Sequence, residues 1–215
     1  MAMTACPLTI VGCGPGAAEY LTDAARQAVA LAEVLAGSSR LLAMFPGHAG
    51  RKITIGSDLS SATEEIASHV AAGRNVAVLV SGDPGCFSLS RRMVARFGRG
   101  NCRVVPGISA VQVAFARLGL DWADARLLSA HGRTPDIRPE ELARCDKVAI
   151  FAGNREAIEW SAVAAAAVAT THAAFLCENL TLADERMEQL AAEKLYRASA
   201  ASLSLVLLVR RSLVP

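Results

Sequence analysis

His131 and Arg133 stand two residues apart, just after the strand-like run Arg126–Ala130. In an extended segment both point to one side. Arginine can grip a carboxylate through two parallel hydrogen bonds, and a neutral histidine can take up a proton. His131 also reads as a hydrogen-bonded loop histidine. Asp83 offers a second polar centre, within Ser81-Gly82-Asp83-Pro84-Gly85. Its carboxylate can accept hydrogen bonds from hydroxyl or amino groups, although aspartate before proline is also a turn starter. Ser109 opens a helical stretch, where it can cap the helix, turn its hydroxyl toward a ligand, or do both. Cys86 lies three residues past Asp83, and no base stands beside it to make it a nucleophile.

Three glycine-containing loops must position these groups. Leu8–Val11 runs into Gly12-Cys13-Gly14-Pro15-Gly16, Asn75–Val80 into the Ser81 loop, and Cys102–Val105 into Pro106-Gly107-Ile108-Ser109-Ala110. Each apolar run has strand length and each loop leads into a helical pattern. In an open α/β sheet such loops gather at the carboxyl ends of the strands, where ligands bind. Gly12-x-Gly14 lacks the third glycine of a dinucleotide fingerprint, because position 17 is alanine. Pro15 carries no N–H and fixes its own φ, so this loop packs against a ligand better than it wraps a pyrophosphate.

Further along, strands and helices alternate, which predicts an α/β fold of mostly parallel sheet. Cys6–Gly12, Val34–Gly37, Asn75–Val80 and Cys102–Val105 read as strands of a first lobe. Arg126–Ala130, Lys147–Phe151, Ala173–Cys177 and Leu203–Arg210 read as strands of a second. Helices are expected from about Tyr20, from the Ser61–Glu64 capping box to Gly73, over Phe87–Phe97, and over Glu140–Cys145, Arg155–Ala169 and Asp184–Ala192. Gly119, Asp121, Trp122 and Asp124 mark a connection, which divides the chain into domains 1–118 and 119–215.

The chain has 215 residues, 53% of them hydrophobic, and a formal net charge of +2. That composition supports a sizeable core and argues against nucleic-acid binding by a broad cationic face. The strongly apolar stretches are too short to span a bilayer, and the first eleven residues lack a cationic start with an apolar core. No membrane association is expected, and the cytoplasm is the expected compartment. The six cysteines show neither C-x-x-C nor zinc spacing, so free buried thiols and no bound metal are expected.

Taken together, Gly12-Cys13-Gly14-Pro15-Gly16 with Leu21-Thr22, Ser81-Gly82-Asp83-Pro84 and Pro106-Gly107-Ile108-Ser109-Ala110 resemble the tetrapyrrole methylase family. The resemblance implies two α/β lobes with an active-site cleft between them, S-adenosylmethionine as methyl donor, and a homodimer. Ala114–Leu120 with Trp122, Ser129-Ala130-His131-Gly132-Arg133, and Glu178-Asn179-Leu180-Thr181 before Asp184-Glu185-Arg186 are similar to the family members that methylate C5 of a corrin precursor. This places Pro15, Ser81, Gly82, Asp83, Cys86, Ser109 and Ala110 at the donor. Ala152, in Phe151-Ala152-Gly153-Asn154, falls near the adenine, with Asn179 and Leu180 on the same side. Gly153-Asn154 equally reads as a glycine turn and a helix cap. Ser129 and Arg133 are expected to bind the carboxylate-bearing substrate, and His131 to take the proton that methyl addition releases. Because the chain ends at Pro215, C5 methylation alone is expected, with contact to a separate C15-methylating decarboxylase. Ala17-Ala18 depart from the family, whose members often carry Asp-Pro there.

Three other readings make distinct demands. Another family member would act on a different macrocycle position, on ribosomal RNA or on a modified histidine of an elongation factor. A nicotinamide-dependent oxidoreductase requires glycine near position 17 and an acidic residue ending the second strand, and Gly37-Ser38-Ser39-Arg40 supplies none. A tetrapyrrole-binding scaffold without a methyl donor would be free to lose Gly82 and Asp83.

Overall fold

A run of small and β-branched residues ending in glycine opens the first sheet: β1 (Leu8–Gly12) is nearly all buried. The computed structural model of the chain describes residues 7–132, 134–199 and 201–214. Cys6, expected to begin the first strand, lies outside the described residues. Thr22 caps α1 (Asp23–Ala30), its side chain accepting from the Ala25 amide. β2 (Val34–Gly37) follows, then the short α2 (Ser39–Ala43) capped by Ser38, and β3 (Arg51–Thr54). α3 (Leu59–Ala71) is capped by Asp58 rather than by Ser61, because the Asp58 carboxylate accepts the Ser61 amide at 2.9 Å. Gly73 ends that helix with φ +74°. β4 (Val76–Val80) is fully buried.

α4 (Ser90–Phe97) begins three residues later than the pattern predicts. Phe87 sits in the left-handed region at φ 48°, and Ser88 donates its hydroxyl to the Pro84 carbonyl. Both hold the segment in a turn. β5 (Cys102–Val105) completes a sheet ordered β3-β2-β4-β1-β5, in which every pairing is parallel. Side chains of β1, β2 and β4 alternate between two apolar layers, one against α1 and α2 and the other against α3 and α4.

The later elements are α5 (Ala110–Arg117), β6 (Arg126–Ser129), β7 (Lys147–Phe151), α6 (Arg155–Ala167), β8 (His172–Glu178), β9 (Arg186–Leu190), α7 (Ala192–Arg197) and β10 (Ser204–Arg210). Their sheet runs β6-β7-β10-β8-β9. Here the expectation of a mostly parallel sheet is corrected. Only β6 and β7 pair in parallel, and the other three pairings are antiparallel. The segment 184–192, expected to be helical, supplies β9. Asn179 and Thr181, at φ 50° and 72°, turn the chain straight back from β8. A direct return can only make an antiparallel neighbour. Met187 and Leu190 mimic a helical spacing, but free backbone on the β8 edge decides the outcome. The helix expected at 140–145 is a 3-10 turn, Pro139–Arg144.

The chain separates into two compact units, Met1–Ser109 and Ala110–Pro215. The division falls before α5 rather than after it, as the 118/119 boundary had it. α5 packs on β10, and the long strands β8 and β10 carry much of the second core.

Candidate functional site

In the first unit, the three glycine loops meet backbone to backbone. Gly14 and Gly82 form an isolated antiparallel bridge, and the Gly82 amide donates to the Gly14 carbonyl at 2.8 Å. The Cys13 amide donates to the Val80 carbonyl at 2.9 Å. Gly12 and Gly107 approach so closely that no side chain fits at either. A Cβ on Gly107 would stand 2.4 Å from the Gly82 carbonyl oxygen and 2.8 Å from that of Gly12. A Cβ on Gly12 would stand 2.6 Å from the Gly107 nitrogen. These glycines permit close approach of one loop backbone to another.

Asp83 fastens the arrangement. One carboxylate oxygen accepts the Gly85 amide at 2.7 Å and the other accepts the Gly107 amide at 3.1 Å. The first contact is the turn-starting role expected of aspartate before proline. The second joins the Ser81 loop to the Pro106 loop, across 24 residues of chain. Pro15 is buried, and Gly82 and Asp83 are part-exposed.

The two thiols of these loops are held protonated. Burial pushes the Cys13 thiol up to about 12, and burial also raises that of Cys86, although a hydrogen bond from the buried Ser109 hydroxyl opposes it. Neither is a nucleophile at neutral pH.

Sequence reasoning marks Arg40 only as non-acidic after the second strand. It stands in the first turn of α2, beyond the carboxyl end of β2, and donates from Nη2 to the Ser81 hydroxyl at 3.0 Å. A signal was available, since its loop too follows a parallel strand.

In the second unit, the carboxyl ends of β6 and β7 lie side by side. Ser129, the last residue of β6, is buried, and the Ala130 amide donates to the Phe151 carbonyl at 3.0 Å. His131 follows and is exposed. Its Nδ1 lies at Gly153, where a Cβ would come within 3.1 Å of it and within 2.5 Å of the Ser202 carbonyl oxygen. Arg133 lies outside the described residues. Ala152 is fully buried, its amide donating to the Ser204 carbonyl at 3.0 Å. Asn154 caps α6 through the Ala157 amide at 2.9 Å, the structural role that the sequence allowed.

Side chains fix the loop after β8. The Glu178 carboxylate is buried, accepts from the Ala201 amide at 3.2 Å and pairs with Arg186 at 3.0 Å. Asn179 donates to Asp184 at 2.7 Å, and Leu180 is buried. Arg117 of α5 grips both Glu185 oxygens, at 2.7 and 3.1 Å, while Glu185 accepts the Thr181 amide at 2.6 Å. That grip holds the Glu185 carboxyl below its ordinary value. Asn179 and Thr181, two non-glycine positions of positive φ on either side of Leu180, store strain of about 1–3 kcal/mol each, a cost concentrated at functional loops. A cavity of about 560 Å³ elsewhere in this unit is lined by Ala165, His172, Leu190 and Arg211. It lies at the His172 end of β8, away from the Glu178 loop.

Among the described residues no cluster of histidine, cysteine or carboxylate could hold a metal ion, and no helix is long and apolar enough to cross a membrane.

Comparison with known proteins places the sequence and the fold. A cobalt-precorrin-7 C(5)-methyltransferase of Salmonella typhimurium is 40% identical over 148 residues, 69% of this chain and 72% of that protein. A probable cobalt-precorrin-7 C(5)-methyltransferase of Methanocaldococcus jannaschii is 35% identical over 58% of this chain and 60% of its own. Among solved structures, the precorrin-6Y methylase of Archaeoglobus fulgidus superposes with a TM-score of 0.73 at 25% identity, covering 95% of this chain and 98% of that one. A uroporphyrin-III C-methyltransferase from Thermus thermophilus, crystallised with S-adenosyl homocysteine, gives 0.75 at 21% identity over 94% and 91%. The model of the tetrapyrrole (corrin/porphyrin) methylases matches residues 7–196, and the chain belongs to that family.

Proposed function

We propose that this protein transfers a methyl group from S-adenosylmethionine to C5 of a corrin precursor, cobalt-precorrin-7 or its metal-free counterpart. The observation that carries the reading is the convergence of Gly12, Gly82 and Gly107, tied by Asp83, in a chain of this family.

The residues fit such a donor. The bare glycines let the three loops pack backbone to backbone, which fixes the loop ends that carry Ser81, Asp83 and Ser109. When bound, the donor supplies an already activated methyl group, moved by in-line displacement at its sulfonium. The new bond forms from a ring carbon, and the departing sulfur keeps the electron pair of the broken bond. The protein's part is then positioning. In this reading Pro15, Ser81, Gly82, Asp83, Cys86, Ser109 and Ala110 hold the donor, with Ala152, Asn179 and Leu180 at its adenine. Asp83 acts through the Pro106 loop as well as through any contact of its own. The neutral thiols of Cys13 and Cys86 leave the ring carbon without a competing acceptor. Ser129 and Arg133 serve the substrate carboxylates, and His131, exposed over Gly153, takes the proton released from the methylated ring.

The enzyme works in the cytoplasm as a homodimer, beside a separate C15-methylating decarboxylase. A precorrin-6Y C(5,15)-methyltransferase [decarboxylating] of Sinorhizobium matches this chain over only 32% of its own length, in keeping with a C5 activity that is one part of that larger protein.

Mass spectrometry of the tetrapyrrole after incubation with S-adenosylmethionine tests the reading, run on cobalt-precorrin-7 and on the metal-free compound. Gain of one methyl group at C5 on either is expected. No gain on both, with donor binding intact by calorimetry, would overturn it.

A further inference from the structure

Arg40 is a cation among the ligand loops that no anion among the described residues balances. Its guanidinium reaches from the end of β2 to the Ser81 hydroxyl at the end of β4. It also lies close enough to Cys13 of the first loop to interact with it electrostatically. Cys13 is a neutral thiol and cannot balance the charge. Among the described residues no carboxylate pairs with Arg40; arginines such as Arg51, Arg117 and Arg210 have such partners, and others without one, such as Arg26, Arg91 and Arg103, are exposed. Arg40 is also part-buried, which an unpaired charge resists. Its hydrogen bond to Ser81 uses a single guanidinium nitrogen and leaves donors for a planar two-oxygen partner. The Ser38 cap and the end of β2 fix the first turn of α2, so the arginine is presented by a packed element.

We infer that Arg40 binds a carboxylate of a bound reactant through its fork. This rests on the function proposed above, which supplies two sources of that group: the acidic side chains of the tetrapyrrole and the α-carboxylate of the methyl donor. The sheet order favours the tetrapyrrole. Arg40 reaches β4 from the β2 side, while the Asp83–Gly107 tie that shapes the donor loops lies on the β1 and β5 side.

The test compares wild type with Arg40→Ala, Arg40→Lys and Ser81→Ala. Three quantities are read: the KM for the tetrapyrrole, the dissociation constant for S-adenosylhomocysteine, and the thermal midpoint. For Arg40→Ala the tetrapyrrole KM should rise about tenfold to a hundredfold, the range of a charged hydrogen-bonded contact. S-adenosylhomocysteine affinity and the thermal midpoint should hold. Arg40→Lys should recover only part of the loss, because it keeps the charge without the fork. Ser81→Ala, which keeps the guanidinium, should cost less than Arg40→Ala. A rise confined to S-adenosylhomocysteine would keep the carboxylate contact and move its source to the donor. Unchanged KM and donor affinity in a folded, active Arg40→Ala enzyme would overturn the assignment. A wild-type protein that neither binds nor methylates the tetrapyrrole would instead bring down the functional reading, and this inference with it.

Discussion

The two units hold their loops by opposite means. In the first, backbone meets backbone: Gly12 and Gly107 are packed until no Cβ fits, Gly107 against the Gly82 carbonyl, and one carboxylate, Asp83, is the fastening. In the second, side chains do the fixing. Arg117 and Glu185 come from positions 68 apart, Glu178 gathers Ala201, Ser204 and Arg186, and Asn179 and Thr181 are kept in left-handed conformations. A backbone contact of that kind tolerates no added atom. A side-chain clamp can be loosened by degrees. The difference predicts brittle failure in the first unit and graded response in the second.

The largest expected effect is that of Gly107→Ala. Its new methyl group meets backbone on two sides, so no flexible side chain can yield. Overpacking of this kind costs about 1–3 kcal/mol, with the upper end expected here. Thermal unfolding should show a clear drop in midpoint, and S-adenosylhomocysteine affinity should fall more than tenfold. Gly47→Ala is the control, since nothing lies within 4 Å of a Cβ there. Normal donor binding by Gly107→Ala would mean that the close approach is dispensable.

Asp83→Ala comes next. It strands the Gly85 and Gly107 amides, and losing an ionised acceptor costs about 1.5–3 kcal/mol. Donor affinity should fall, because the Pro106 loop is released. Asp83→Asn keeps one carbonyl oxygen and two acceptor lone pairs, so it can serve only one amide well and should fall between. Calorimetry with S-adenosylhomocysteine, read beside the thermal midpoint, separates the roles. A pure donor contact would lose affinity without loss of stability, and that result would remove the fastening role argued here.

The same contrast explains what could be read from residues alone. Gly12, Gly82, Gly107 and Asp83 are legible because a glycine at a strand's end has few other uses, and because their neighbours in sequence mark the turn. The strands β2, β4, β5 and β7 are apolar runs of the right length. The β9 strand is not legible: Met187 and Leu190 keep helical spacing, and only the open edge of β8 makes the segment extended. β3 escaped for a similar reason, being a short edge strand with one fully buried residue, Ile53. The clamp of Arg117 on Glu185 could not be seen at all, because pairing between distant charges leaves no local pattern. Arg40 falls between the two. Its place after a parallel strand was visible, but its want of a carboxylate partner emerges only from the folded arrangement.

The smallest effect sharpens the second half of the comparison. Arg117→Ala should lower stability by no more than about 1 kcal/mol, because the pair is partly exposed and water screens it. Its pH behaviour is more telling. Arg117, then the Thr181 amide, hold the Glu185 carboxyl below its ordinary value of 4.5. A carboxylate with a depressed folded value contributes its stability in full above the unfolded value, and loses it as pH falls through the folded one. The clamp should therefore be intact at neutral pH and open only below 4.5. The Thr181 amide, 2.6 Å from Glu185, is the natural reporter. Its proton resonance should titrate with a midpoint below 4.5 in wild type, move toward 4.5 in Arg117→Ala, and stop titrating in Glu185→Gln. A wild-type midpoint at the ordinary value would show that the clamp does not form in solution. The β8–β9 loop would then owe its shape to Glu178, Asn179 and the register of the hairpin alone.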